Sequence, residues 1–356
     1  MAPLGRRALL QGLGAGLAAW PFRAAAAAGP LFAAALVEGD AHAIAILDRD
    51  GAILRRLPLP GRGHDVTQGR GWLVAFARRP GTFALAIDPA GGRAPVAFAA
   101  PPGRHFYGHG VFTPDGLLAA TENDYEAGRG MLGLYDPSDG FARIGEWPTH
   151  GIGPHDLALL PGGARLAVAN GGMDTHPDTG REILNLAFME PSVAFLDARD
   201  GTLLERHTLP AAWSRHSTRH MDLLPDGSVF VGCQWQGAAA DCPPLLLRFR
   251  FGEGHDALPL GAAERAFDGY VGSVAANPAR GTVALTSPHG DVAAVVEGAT
   301  GRLLHLHRQA EVCGVAPAGA GFVRSSGTGA FGPARHAGLA FDNHVLALDP
   351  APRAGD

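Results

Sequence analysis

The sequence predicts an all-β fold, a seven-bladed β-propeller of four-stranded antiparallel blades, on three observations. Beyond residue 30 no run carries the 3.6-residue apolar period of an amphipathic helix. Short β-rich runs bounded by Gly, Pro, Asp and Asn recur instead. These runs repeat as a unit: a small-residue strand starting near a His, a turn of Pro-Asp-Gly character, an apolar strand, and a third strand ending in Asp.

An opening partial copy spans Leu31 to Leu57. His64-Asp65-Val66, Trp72 to Ala77 and Phe83 to Asp88 make the next. His109 to Phe112, the turn Thr113-Pro114-Asp115-Gly116, Leu117 to Thr121 and Met131 to Asp136 follow. His155 to Leu160, Arg165 to Asn170 and Val193 to Asp197 form another copy, and His220 to Leu224, Ser228 to Cys233 and Leu245 to Phe249 the one after. Val271 to Ala276, Thr282 to Thr286 and Val292 to Val296 make a weaker copy. Val312 to Ala316, Phe322 to Ser326 and Val345 to Asp349 complete the seven. Anchors at 64, 109, 155, 220, 273 and 313 are separated by 45, 46, 65, 53 and 40 residues, against the roughly 40–45 of a WD40-like or YVTN-like blade. The longest gap holds an insertion. Such repeats close radially because each twisted sheet must bury both faces against neighbours. The opening copy lacks an inner strand and the last lacks an outer one, which leaves the closure of the ring open.

The first residues read as an address. Arg6-Arg7 precedes an apolar stretch, Ala8 to Ala19, too short to span a bilayer, and Ala24 to Ala28 offers the small residues of a cleavage site. The expectation is a twin-arginine signal peptide over residues 1–28, a single propeller domain over 29–356, periplasmic localisation and no membrane span in the mature protein. Only 18% of residues are charged, the net charge is -5, and no Lys/Arg stripe is present, which argues against a nucleic-acid partner. In an oxidising compartment Cys233 and Cys242, on either side of a strand connection, could bridge, whereas Cys313 reads as a buried apolar residue.

In a blade of this kind the first strand lines the central channel. That places His64, His109, His155 and His220, each opening an inner strand, around the channel mouth. Neutral imidazoles aimed at one axis could ligate a transition metal, although a His at this position also serves hydrogen bonding within and between blades. The segments after each second strand, and the loops leading into the first, bring further polar groups to that face: Arg78, Arg79, Arg104, His105, Tyr107, Glu122, Asn123, Asp124, Asn170, Arg219 and Gln234. The insertion from Asn170 through His176 to Arg181 is dense in hydrogen-bonding groups and could cap the channel. Arginines close to Glu122 and Asp124 suit an anionic ligand, a carboxylate-bearing cofactor or an ion-pair network. Nucleophile and nucleotide motifs such as GxSxG, HExxH and the P-loop are absent.

The strings Gly103-Arg104-His105-Phe106-Tyr107-Gly108-His109-Gly110, Thr121-Glu122-Asn123-Asp124-Tyr125, Gly151-Ile152-Gly153-Pro154-His155, Ala169-Asn170-Gly171-Gly172, Thr175-His176-Pro177-Asp178 and Arg219-His220-Met221 resemble an uncharacterised bacterial family of twin-arginine-exported propellers, catalogued as a domain of unknown function. The similarity extends over essentially the whole mature chain. Members are often encoded beside imelysin-type iron-uptake lipoproteins and a dihaem oxidoreductase. The resemblance therefore implies a periplasmic role near iron acquisition, with iron-uptake or haem proteins as partners, and brings no established activity. A more distant likeness joins other exported seven-bladed propellers, including nitrous oxide reductase, whose channel-mouth histidines bind copper; it is an analogy of fold.

The function expected is binding of a ligand, metal or partner protein at a His-rich channel mouth, accessory to iron uptake. The alternative is an enzyme on the same face, either a metal-dependent redox protein or a lactonase-like hydrolase using Glu122 and Asp124 around a divalent cation.

Overall fold

A computed structural model describes residues 31–349 apart from 80 and 181. The signal peptide expected over residues 1–28 lies outside the described residues. Twenty-eight strands form seven four-stranded antiparallel sheets, as the repeat predicts. The sheets are numbered here as blades 1 to 7 in chain order. Their inner strands are Leu339–Leu348, Gly63–Gly69, Arg104–Phe112, Pro154–Leu159, His216–Leu223, Ser273–Asn277 and Val312–Ala318.

Blade 1 resolves the closure. Its three outer strands, Leu31–Glu38, Ala41–Asp48 and Ile53–Leu59, come from the N-terminal side, and the C-terminal strand Leu339–Leu348 pairs with the first of them from Leu31↔Leu348 to Glu38↔Leu339. Val345 to Asp349 is thus no third strand of the last copy. Blade 7 completes itself instead with two short strands, Ala330–Phe331 and Ala334–Arg335.

Period-2 alternation explains why sheets stand side by side around the ring. In the second strand of blade 2, Trp72, Val74 and Phe76 pack with Phe106, Leu118 and Tyr135 of blade 3, while Leu73 and Ala75 pack with Ala33, Ile44 and Leu57 of blade 1. A buried apolar cluster fills each seam between neighbouring blades. The seam between blades 6 and 7 is the thinnest, with Ala275, Ala284 and Val315 at its centre.

Cys233 and Cys242 are both free. Cys233 sits in the seam between blades 4 and 5 beside Val193, Met221 and Val231, so its thiol is committed to the core, while Cys242 lies in the loop that follows. The bridge suggested by their spacing does not form. Cys313 is buried, as expected.

Truncating the chain after Gly338 removes the inner strand of blade 1 and uncovers two seams. The expected loss is on the scale of the whole folding stability, about 5–15 kcal/mol, and differential scanning calorimetry checks it: no cooperative transition should remain.

Candidate metal centre

The histidines reach the axis through β-bulges. Along the ladder between first and second strands, the inner strand carries extra residues between Gly63 and Val66, Phe106 and Gly110, Pro154 and Asp156, Thr218 and Met221, and Phe341 and Val345. His64, His109, His155, His220 and His344 all sit within these interruptions. A bulge re-aims the side chain it carries, and here it turns an imidazole out of the sheet and into the channel. Blade 6, whose inner strand pairs without a shift, contributes no histidine; blade 7 has a bulge at Cys313-Gly314 instead. His64 and His155 open their inner strands, as expected, next to Gly63 and Pro154, whereas His109 and His220 lie in mid-strand, since their inner strands begin at Arg104 and His216. Gly108, at φ +107°, is required by the close approach: a Cβ there would stand 2.5 Å from His64 Cδ2.

Nine of the ten pairs among the five rings have centroids 4.5 Å (His155 and His220) to 6.4 Å (His64 and His220) apart. Two sets of three, His64-His109-His155 and His109-His220-His344, hold their ligand nitrogens within 4.8 Å of one another. Four of these residues were predicted; His344 was missed, because its strand was assigned to the wrong blade.

Carboxylates fix two of the rings. His64 Nδ1 lies 3.1 Å from Asp342 Oδ1, and His109 Nδ1 lies 3.1 Å from Asp65 Oδ2 and 3.3 Å from Asp156 Oδ1. A carboxylate on Nδ1 leaves Nε2 as the other nitrogen of each ring, an arrangement found where carboxylates support metal-ligating histidines. His109 Nε2, both nitrogens of His155, His220 Nδ1 and His344 Nε2 are buried with no hydrogen-bond partner. Burial holds His64, His155 and His220 well below the ordinary imidazole value, with nearby Arg219 adding to the effect at His155, and it lowers His344 to about 4. The rings are therefore neutral at pH 7 and carry free lone pairs.

His64 and His109 also bond between blades, since Asp342, Asp65 and Asp156 lie on neighbouring blades, and two aspartates add bonds to backbone across the seams. Asp156 Oδ2 accepts from Met221 N of the next blade (2.9 Å), and Asp222 Oδ2 from Ala276 N of the blade after (2.8 Å). Burial raises both carboxyls to about 6. Burial also favours a neutral Asp342, but the His64 hydrogen bond and the charges of Arg78 and Arg62 outweigh it and hold this carboxyl far below the usual range.

Next to the histidines lies a small chamber of about 100 Å³, lined by His64, His155, His220, Arg78, Arg79, Tyr107, Arg219 and Gln234 among others. It adjoins a wider one of about 280 Å³ that shares Arg79, Arg219 and Gln234 and adds Met173, Thr175 and Ile183 of the insertion. The insertion therefore walls the channel. It is held by Asn185, which accepts from Asp174 N and donates to Gly172 O (both 2.8 Å), and by Arg79 Nη1 donating to Thr175 Oγ1 (3.2 Å). Arg219 and Tyr107 reach the chamber from inner strands, not from the loops that precede them.

Other predicted residues serve the scaffold. Arg104 pairs with Glu122, Asp124 and Glu146, and the buried Glu122 also accepts from Tyr135 Oη (2.6 Å) and Arg143 Nη2 (2.9 Å). Gly133 makes room for that carboxylate, whose Oε1 would be 1.9 Å from a Cβ at this position. Glu122 and Asp124, the carboxylate pair of the hydrolase alternative, have oxygens engaged by arginines and line neither of these two chambers. His105 Nδ1 donates to Phe106 O (3.0 Å) and its Nε2 accepts from Asn123 Nδ2, which also donates to Thr175 O. Asn170 Nδ2 donates to Thr149 O (2.9 Å), tying neighbouring blades. His176 caps a short turn on the insertion, accepting from Asp178 N. Arg181 lies outside the described residues.

His105 and His216 are buried and lowered to about 4, mainly by burial. Between the unfolded value of 6.5 and 4, the unfolded chain binds protons that the folded chain does not, so stability is complete above pH 6.5 and falls as pH drops through that window. The expected loss is about 3 kcal/mol per histidine by pH 4, and urea titrations at pH 7, 5.5 and 4.5 check it, with His216→Phe flattening the profile.

The chain is similar in fold to a chain of Kuenenia stuttgartiensis hydrazine synthase, with a TM-score of 0.57 and 13% identity over 81% of this chain and 90% of that one. It is also similar to a protein of unknown function from Bacteroides caccae, with a TM-score of 0.49 and 13% identity over 79% of this chain and 94% of that one. No curated protein sequence matches it. At these identities the likeness is one of architecture. The family model described as "Protein of unknown function (DUF1513)" matches residues 57–348, from the end of blade 1's outer strand through the closing strand that carries His344, and the chain belongs to that family.

Proposed function

We propose that this protein is an exported metal-binding propeller that holds one transition-metal ion on the ring axis through His64, His109, His155, His220 and His344. The observation that carries the reading is the set of neutral, buried imidazoles whose nitrogens converge without hydrogen-bond partners. A buried polar atom left unpaired costs about 1–3 kcal/mol; an ion accepting those lone pairs removes the cost at several residues at once. The sharing of His109 between the two sets of three, with its Nδ1 turned to Asp65 and Asp156, favours one centre over two. An all-imidazole shell suits zinc, copper, nickel or ferrous iron and disfavours calcium or magnesium.

The export signal and the family resemblance extend this to a periplasmic role in metal handling, with iron uptake as the setting and iron-uptake or haem proteins as partners. Supporting this, a rigid ring with its ligands on five different blades forms the site only once the ring is closed, which fits export in the folded state. Among the described residues no helix is long and apolar enough to cross a membrane.

Metal-stripped protein titrated with Fe(II), Cu(II) or Zn(II) should take up one equivalent, by elemental analysis and calorimetry. His109→Ala should abolish high-affinity uptake, Asp65→Asn should weaken it about 10–100-fold, and His176→Ala should leave it unchanged. Equal uptake by wild type and His109→Ala would refute the centre.

A further inference from the structure

Arg219 is the least explained charge in the molecule. Its Nε is buried without a hydrogen-bond partner, and among the described residues no carboxylate pairs with it. The groups nearest in charge are Arg79 and Arg78, which repel it, and the phenols of Tyr107 and Tyr270. A charge left without its partner out of water costs free energy; Arg219 is half-buried, and its Nε is the atom left in that state.

The groups around it are donors. Arg79 donates to Thr175 and lies over the Tyr107 ring, 5.8 Å from its centroid. Tyr107 Oη is buried with no hydrogen bond of good geometry, although Thr175 and Arg79 are beside it. Arg78 is already committed to Asp342. Among the described residues lining the two chambers the one acid is Asp268, which is exposed and belongs to the wider chamber. Arg219, Arg79 and Tyr107 open onto the same small chamber as His64, His155 and His220. Its volume of about 100 Å³ suits about three waters or one small anion.

We infer that this chamber binds a small oxyanion, a short carboxylate or an inorganic one, gripped by Arg219 and Arg79 and placed to donate an oxygen to the ion held by the histidines. The inference rests on the metal reading for the second contact and on the unpaired guanidinium for the first. Guanidinium forks match two oxygens of a planar or tetrahedral anion, and the ion has no charged ligand of its own, because the carboxylates of Asp342, Asp65 and Asp156 contact the rings of His64 and His109. The anion answers both needs.

The test is calorimetry with oxalate and with inorganic phosphate on zinc-loaded wild type, Arg219→Met, Arg79→Gln and Arg219→Lys, with metal content measured on every sample. One equivalent of anion should bind wild type. Arg219→Met and Arg79→Gln should each weaken binding about 10–100-fold with zinc content unchanged, and Arg219→Lys should recover part of it. Tighter oxalate marks a carboxylate ligand, tighter phosphate an inorganic one. Without anion, Arg219→Met should melt at a higher temperature than wild type, because a half-buried unpaired charge has been removed; a lower melting temperature would show the guanidinium to be structurally paired and overturn the inference. So would equal anion affinity in wild type and Arg219→Met, or no binding of either probe. Failure of the metal centre reads separately, as absence of zinc from wild type; Arg219-dependent anion binding to that protein would still support the anion site.

Discussion

Seven inner strands meet at the axis of the ring, and the histidines that five of them aim inward are drawn away from water without reaching an apolar seam. The apolar residues are spent between blades, where period-2 alternation commits both faces of each sheet. The axis is left to polar groups, which must satisfy one another or something that enters. The β-bulges decide which groups arrive: five of them carry histidines, and the strand that pairs without a shift carries none.

From that constraint the polar residues separate by role. Asp156 and Asp222 spend their oxygens on backbone N–H groups of the following blade and so tie the ring. Asp342 and Asp65 orient His64 and His109 from behind. The imidazoles are left with lone pairs facing one another, and next to them stands a guanidinium without a counter-ion. Two adjoining sets of unmet needs, one for a cation and one for an anion, make the channel chemically specific although the fold itself is not.

The blades were legible in the sequence because each strand announces itself through local apolar runs and turn residues, and the position of His64, His109, His155 and His220 follows from repetition. His344 was not legible in the same way. Its strand pairs with Leu31–Glu38 from the other end of the chain, and no local pattern records a contact of that range; the signal available was the missing inner strand of the opening copy, which only Asp342-Asn343-His344-Val345 could supply. An ion-pair network was one of the readings open for Arg104, Glu122 and Asp124, and sequence alone could not select it, because it reports polar density without reporting that the groups consume each other. Arg219 and Tyr107 were placed on the correct face for the wrong reason, as loop residues, since the bulges that lengthen the inner strands leave no mark on composition.

The most direct measurement is X-ray absorption at the metal edge of the loaded, folded protein. A single ion held by the five histidines predicts nitrogen neighbours at about 2.0–2.1 Å for zinc, with the outer-shell scattering of several imidazole rings and no sulfur. A shell of water oxygens without imidazole scattering, or one containing thiolate sulfur, would place the ion elsewhere and contradict the account.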